Sequence, residues 1–238
     1  MESSEIGKLT PKAVLTRQRI LETALQLFAS QGYEGTTMRD IAAASGSSLG
    51  LTYRYFAGKE DLVLELYRWL VVQLEEQVRR LPRASIADRF HLLMQGLLAV
   101  MEPHRRTLVA LSGAALDPLS RAGVFGEEGA EVRRRARASY RMLVGEAQDA
   151  PRPQQVEDLA TLLYGLQLAL VLFWLQDLSA EGQKTAELLQ FIHELARRLR
   201  PFLRFPGVSR TVARFVWIVG PLLGQNGIAE SASEEPEH

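Results

Sequence analysis

Apolar residues recur at spacings of three and four along nearly the whole chain, and alternating Val/Ile/Thr runs are almost absent. That periodicity predicts helices. Ile20, Ala24, Leu27 and Phe28 make one face of a first helix, which Gly32 ends. Two short helices follow, and then a long one from Lys59 to Leu81 with Leu62, Leu66, Trp69, Leu70 and Leu74 on one stripe and Pro82 as its stop. Further helices are expected near Ile86–Met101, Pro103–Leu116, Glu127–Gln148, Pro153–Asp177 and Ala180–Phe205, with a last amphipathic piece from Val208 to Leu223. The expected organisation is all-α: a small three-helix unit over residues 1–60 (ordered from about 12), a larger helical body over 61–224, and a disordered acidic tail over 225–238.

The stretch from Thr36 to Leu62 carries the most information. Thr37 suits an N-cap, with Asp40 three positions later as a capping-box-like partner. Ile41 and Ala42 supply the apolar face of a helix running to about Ser45, and Gly46 stands where a helix end wants a left-handed residue. Ser48 caps the next helix, Leu49 to Phe56. Small residues at Ala42, Ala43 and Ala44 allow the two helices to cross closely. Such a unit places its second helix in a DNA major groove. Ser48, Leu49, Gly50, Leu51, Thr52, Tyr53, Arg54 and Tyr55 are expected to form a polar and aromatic face, with Phe56 turned inward. Hydroxyls suit phosphate oxygens, and Leu51 or the Thr52 methyl suits a thymine methyl. Arg39 and Lys59 flank the unit and can neutralise phosphates.

Composition changes this picture little. Apolar residues at 47% can fill a sizeable core, and the formal net charge is zero. Charge is nevertheless unevenly distributed: seven basic residues against three acidic ones from Lys8 to Lys59, and four glutamates with no lysine or arginine in the last ten residues. There is no cysteine, so disulfides and thiolate chemistry are excluded. The amino terminus has no apolar run of a secretory signal, which makes the cytoplasm the expected location. Leu159 to Leu175 is strongly apolar but short of the length of about 20 residues a spanning helix needs, and Thr161 and Gln167 interrupt it; a core helix is expected, and no membrane.

Thr36-Thr37-Met38-Arg39-Asp40-Ile41-Ala42, Gly46, Gly50, Tyr53-Arg54-Tyr55-Phe56 and Lys59-Glu60-Asp61-Leu62 resemble the amino-terminal domain of the TetR family of bacterial repressors. Arg19 to Ala24, Leu27-Phe28 and Gly32-Tyr33 match that family's first helix and its exit, so the resemblance covers about residues 14 to 66. One departure is Ser47, where the family usually has an apolar residue under the turn. The resemblance implies that Thr37 and Arg39 reach DNA from the first helix of the pair. It implies that Ser48, Leu49, Gly50 and Leu51 begin the recognition helix, and that Tyr53, Tyr55 and Lys59 hold the backbone. Arg54 faces away in most members. The long helix from Lys59 would link the reading head to the body.

Two long helices around Ser179 are the expected dimer interface. Gly165 and Ala169 permit close approach, with Leu162, Leu166, Leu172 and Phe173 around them and Leu188, Leu189, Ile192, Leu195 and Leu199 striping the partner helix. An effector cavity is expected inside the body, lined by Phe90, Leu93, Met94, Leu97, Met101, Leu108, Leu111, Tyr140, Leu163, Gln167 and Trp174, and suited to a hydrophobic or amphipathic small molecule. Arg133-Arg134-Arg135 and Arg197, Arg198, Arg200 and Arg204 read as solvated faces. The histidines have no metal-ligand spacing, and neither a catalytic constellation nor a phosphate loop can be assembled. The expectation is a ligand-responsive regulator, a homodimeric repressor of a palindromic operator, without enzymatic activity, cofactor or metal. Alternatives that stay open are an activator of the same fold, a helical protein-interaction module, and a lipid-surface protein using Val208 to Leu223.

Overall fold

The computed structural model describes residues 10–117, 120, 121, 123, 126–199, 206–221 and 223. Among them are ten α-helices and no strand: α1 Pro11–Gln31, α2 Met38–Ala44, α3 Leu49–Tyr55, α4 Lys59–Arg80, α5 Ile86–Met101, α6 Arg105–Leu116, α7 Ala130–Gly145, α8 Pro153–Gln176, α9 Gln183–Leu199 and α10 Pro206–Val219. The fold is all-α, as expected. Boundaries that moved have local causes. A 3-10 turn at Glu102–His104 precedes α6, because Pro103 has no amide hydrogen and its ring crowds the preceding turn. α9 starts at Gln183 rather than Ala180, because Glu181 (φ 52°) and Gly182 (φ 69°) are left-handed and a right-handed helix cannot run through them. The expected tail over 225–238 and the extension of α9 through 200–205 lie outside the described residues.

The chain divides into two compact units, one formed by residues up to Tyr67 with His104–Gly126, the other by Arg68–Pro103 with residues from Glu127 onward. In the first unit α1 packs on α6 and α2, and α2 on α3. Thr10 caps α1 by accepting the Ala13 amide, and Pro11 opens the helix where its missing N–H costs nothing. Ile20, Ala24 and Phe28 of α1, Ile41 of α2 and Leu62 of α4 are fully buried. Each of the larger ones contributes about 1.5–3 kcal/mol of transfer free energy. Arg17 binds Glu65 at 3.0 and 2.9 Å while its guanidinium lies 4.7 Å above the Phe56 ring.

In the second unit α7 lies along α8, and α5 packs on α9, α7 and α8. Leu93, Met94, Leu97, Tyr140, Leu143 and Trp174 are buried, and the Tyr140 ring sits between Phe90 and Tyr164 at 6.3 and 6.2 Å. Trp69, expected on the buried stripe of α4, is instead 37% exposed; Val71, Leu74 and Val78 bury that helix. The arginine trio on α7 is not a solvated face. Arg133 is buried, Arg135 grips Glu75 with two bonds of 2.8 and 2.9 Å, and only Arg134 projects outward. Consecutive helical residues are spread around the axis, so a run of three cannot share one exposed face. Arg197 and Arg198 do lie exposed. Residues Gln155–Gln176, of mean hydropathy 1.7, make the one helix among the described residues long and apolar enough to cross a membrane by length and composition; α7, α9 and α10 pack against it.

Two polar side chains tie helix ends in this unit. Arg89, 1% exposed, donates to the Leu143 and Pro82 carbonyls, both at 2.9 Å, and to Glu146 at 3.3 Å, so it closes the carboxyl ends of α7 and α4. Asp177 accepts from the amide and hydroxyl of Ser179 (2.9 and 2.6 Å) and from those of Thr185 (2.8 and 2.7 Å), joining the end of α8 to the start of α9. Replacing Arg89 by Met leaves the buried Leu143 carbonyl and the part-buried Pro82 carbonyl without this donor, and urea unfolding is expected to show a loss of about 1–3 kcal/mol. The four bonds hold the Asp177 carboxyl well below the usual range. The unfolded chain therefore binds that proton more tightly. This stabilisation is complete above about pH 4 and lost as pH falls toward the folded-state value. Melting temperatures measured across that window should fall less steeply for Asp177→Asn, which starts from a lower value at neutral pH.

Candidate nucleic-acid interface

The helix pair α2–α3 is built almost entirely by local bonds. Thr37 Oγ1 accepts the Asp40 amide at 3.2 Å while Asp40 accepts the Thr37 amide at 2.9 Å, a complete capping box. The Thr37 hydroxyl, which donates to the Asp40 carboxylate at 2.6 Å, and the Thr37 amide hold that carboxyl below its usual pKa. At the other end of α2 the Ser47 amide reaches the Ala42 carbonyl (2.9 Å) and the Gly46 amide the Ala43 carbonyl (3.2 Å), with Gly46 at φ 63°. This is a Schellman closure, and it turns the chain at once into Ser48, whose hydroxyl accepts the Leu51 amide at 3.2 Å to start α3. Of the three alanines expected at the crossing only Ala42 is buried; Ala43 and Ala44 are exposed. Ser47 stands under the turn with a buried hydroxyl that finds no partner among the described residues, a mark of its departure from an apolar residue there.

The structure sorts the α3 residues by face. Leu49, Gly50, Tyr53 and Arg54 are exposed, as is the cap Ser48, and Leu51 and Tyr55 are half-buried. Thr52 was expected on this face and is not: it is fully buried, and its hydroxyl donates to the Ser48 carbonyl at 3.1 Å, so its methyl is unavailable to a thymine. Thr37 and Arg39 at the start of α2 are exposed. Lys59 is engaged below them, with Nζ 2.7 Å from the Tyr33 carbonyl and 4.3 Å from the centre of its ring. Its charge is held against the first unit's own backbone. Arg54, set aside in the sequence reading, shares the exposed arc with Gly50 and Tyr53, three and four positions along the helix; that spacing was the available signal.

Gly50 has ordinary helical geometry, and a Cβ added there would meet nothing within 4 Å. The fold does not require glycine at this position, and a helix interior disfavours it by about 1 kcal/mol relative to alanine. A bare backbone on the exposed arc is what close approach by another molecule needs.

Residues 20–66 match the description "Bacterial regulatory proteins, tetR family", and residues 89–199 match "Tetracyclin repressor-like, C-terminal domain". The chain belongs to the TetR family. Named TetR-family relatives include the HTH-type transcriptional repressor AcnR of Corynebacterium efficiens, 43% identical over 67 residues, which are 28% of this chain and 36% of that protein. The HTH-type transcriptional regulator AcrR of Shigella flexneri is 33% identical over 95 residues, 40% of this chain and 44% of that one. The chain thus spans less than half the length of these relatives. Salmonella enterica GusR shares the fold with a TM-score of 0.63 at 23% identity, over 82% of this chain and 99% of that one.

The second unit of this TetR-family chain contains a groove of about 770 Å³. Its walls are α5, α8 and α9, with the Asp149–Arg152 link at one end and Val212 of α10. Of the expected effector residues, Phe90 and Leu163 line it. Met94, Leu97, Met101, Tyr140 and Trp174 are packed in the core, Gln167 accepts the Tyr140 hydroxyl, and Leu108 belongs to the first unit on α6. Six residues expected at the dimer interface, Leu162, Leu166, Leu189, Ile192, Leu195 and Leu199, also line the groove. Gly165 does permit a close approach, but by this chain's own Leu223, whose Cδ1 lies 3.2 Å from where a Cβ would stand. Ala169 and Phe173 are exposed, with Leu172 and Leu188 partly so.

Two glycines a turn apart should respond oppositely to alanine. Gly46→Ala puts a side chain on a left-handed residue and is expected to lower stability by about 1–2 kcal/mol; Gly50→Ala should raise it by up to about 1 kcal/mol. Denaturant melts of the two variants measure both.

Proposed function

We propose that the chain is a ligand-responsive transcriptional repressor acting as a homodimer in the cytoplasm. Residues 1–60 read DNA, and residues 61–224 bind effector and partner. The observation that carries this reading is the exposed arc of α3 from Ser48 to Arg54, held rigidly by one capping box, one left-handed glycine and one serine cap. Thr37, Arg39, Ser48, Leu49, Gly50, Leu51, Tyr53 and Tyr55, joined by Arg54, form the proposed DNA face; Lys59 supports it through Tyr33. TetR-family membership and the names of the relatives support the same reading.

Exposed apolar residues on α8 and α9, Ala169, Phe173, Phe191 and Leu195, supply a face for the second copy. A symmetric pair would present two recognition helices about 34 Å apart to successive major grooves of a palindromic site. The groove, at about 770 Å³, is of the size that encloses a small molecule. A ligand that binds one arrangement of the dimer better than another shifts the population toward it; a coupling of about 1–3 kcal/mol suffices to release the operator.

Selection from a random DNA pool followed by titration tests the proposal. A near-palindromic site should emerge, with affinity that falls steeply as salt rises. Tyr53→Phe and Gly50→Ala should each weaken it by roughly tenfold, the worth of one good contact, while gel filtration still reports a dimer. Selection of no sequence, or unchanged affinity in both variants, would overturn the assigned face.

A further inference from the structure

Of the carboxylates that line the groove, one has no partner in the fold. Leu159, Leu162, Leu163 and Leu166 of α8 face Leu189, Ile192 and Leu199 of α9 across it, and in this apolar wall stands the carboxylate of Asp158. Among the described residues it has neither a hydrogen bond nor an ion pair. Its neighbour Glu157 pairs with Arg137 at 3.3 Å and Arg141 at 3.4 Å, and Asp88 is hydrogen-bonded to His193 Nε2 at 2.7 Å. Asp149, at the end of the groove, is used in capping: it accepts the Ile86 amide at 2.8 Å. Burial beside Glu157 raises the pKa of Asp158, the signature of a carboxylate that lacks a compensating charge.

We propose, building on the ligand-responsive reading above, that this groove takes a lipophilic monovalent cation whose charge pairs with Asp158 and whose apolar body lies among the leucines. The local charges favour that sign. The ionisable lining consists of Asp149 and Asp158, one arginine, Arg152, which is exposed to solvent, and two histidines, of which His193 is engaged with Asp88 at 2.7 Å. Phe90 presents an aromatic ring on the opposite wall, next to the stacked pair His91–His193 with centroids 4.5 Å apart. Burial and His193 both favour the neutral form of His91, so the Phe90 and His91 rings are available to a cation. An anionic amphiphile would instead place its charge against two carboxylates. Asp158 is half-buried, and a cation that enters the groove supplies the opposite charge the fold leaves out.

Tetraphenylphosphonium and tetraphenylborate have the same shape and opposite charge, and calorimetric titration of the full chain with each isolates the sign. The cation is expected to bind about fivefold more tightly than the anion, and Asp158→Asn should remove that preference, the worth of one partly screened ion pair. Leu162→Trp, which fills the groove, should abolish binding of both ions. Equal binding of the two ions overturns the proposal, as does a preference that survives Asp158→Asn. So does failure of both ions to bind, which is also the result expected if a second copy occupies the groove. Operator titration of the same preparation separates the two readings. DNA binding that persists without cation binding sinks this inference alone; cation binding without DNA binding sinks the regulator alone.

Discussion

The recognition surface depends on the six-residue closure from Ala42 to Ser47. Two backbone hydrogen bonds, from Ser47 to Ala42 and from Gly46 to Ala43, end α2 and reverse the chain in the space of one residue. A helix end leaves its last carbonyls unsatisfied, and a left-handed residue is the least costly way to satisfy them while changing direction. Because Ser48 caps α3 immediately afterwards, no slack separates the helices. The rotation of α3 is thereby set: Thr52 goes into the core, and Leu49, Gly50, Tyr53 and Arg54 go out. A looser connection would leave the orientation of a seven-residue helix to its few apolar contacts.

The second unit solves the same problem with side chains. Arg89 reaches the carbonyls at the ends of two helices, and Asp177 collects four donors around the turn between α8 and α9. Both hold helix termini that hydrophobic burial alone would leave free to slide, since burial is non-directional. The groove wall formed by α8 and α9 inherits its geometry from the Asp177 turn. A leucine-lined cleft can stay open between two helices when polar bonds, rather than leucine contacts alone, fix how their ends meet.

Polar groups in this chain therefore fall into two kinds. Arg89, Asp177, Asp40 and Lys59 are fully employed in holding backbone or caps, and their charges are spent inside the protein. Asp158, Tyr53, Arg54 and the bare backbone of Gly50 are not needed by the fold. Recognition chemistry is best sought among the second kind, because a group already satisfied gains little from a ligand.

The helices, their caps and the family were legible in the amino-acid sequence because each rests on local physics. The capping box at Thr37–Asp40, the glycine at position 46 and the serine cap at 48 are all written within a few residues of where they act. Which way a side chain points was decided elsewhere. Thr52 and Tyr53 are adjacent and both bear hydroxyls, yet α2 and the core cover only one of them. Three consecutive arginines on α7 look alike in sequence and meet three different surroundings. The expected effector residues Met94, Leu97 and Tyr140 became core, whereas the leucines expected to face a second copy line the groove. Apolar spacing says that a helix face is covered; only the packing of distant helices says by what, because helical periodicity carries no information about the partner.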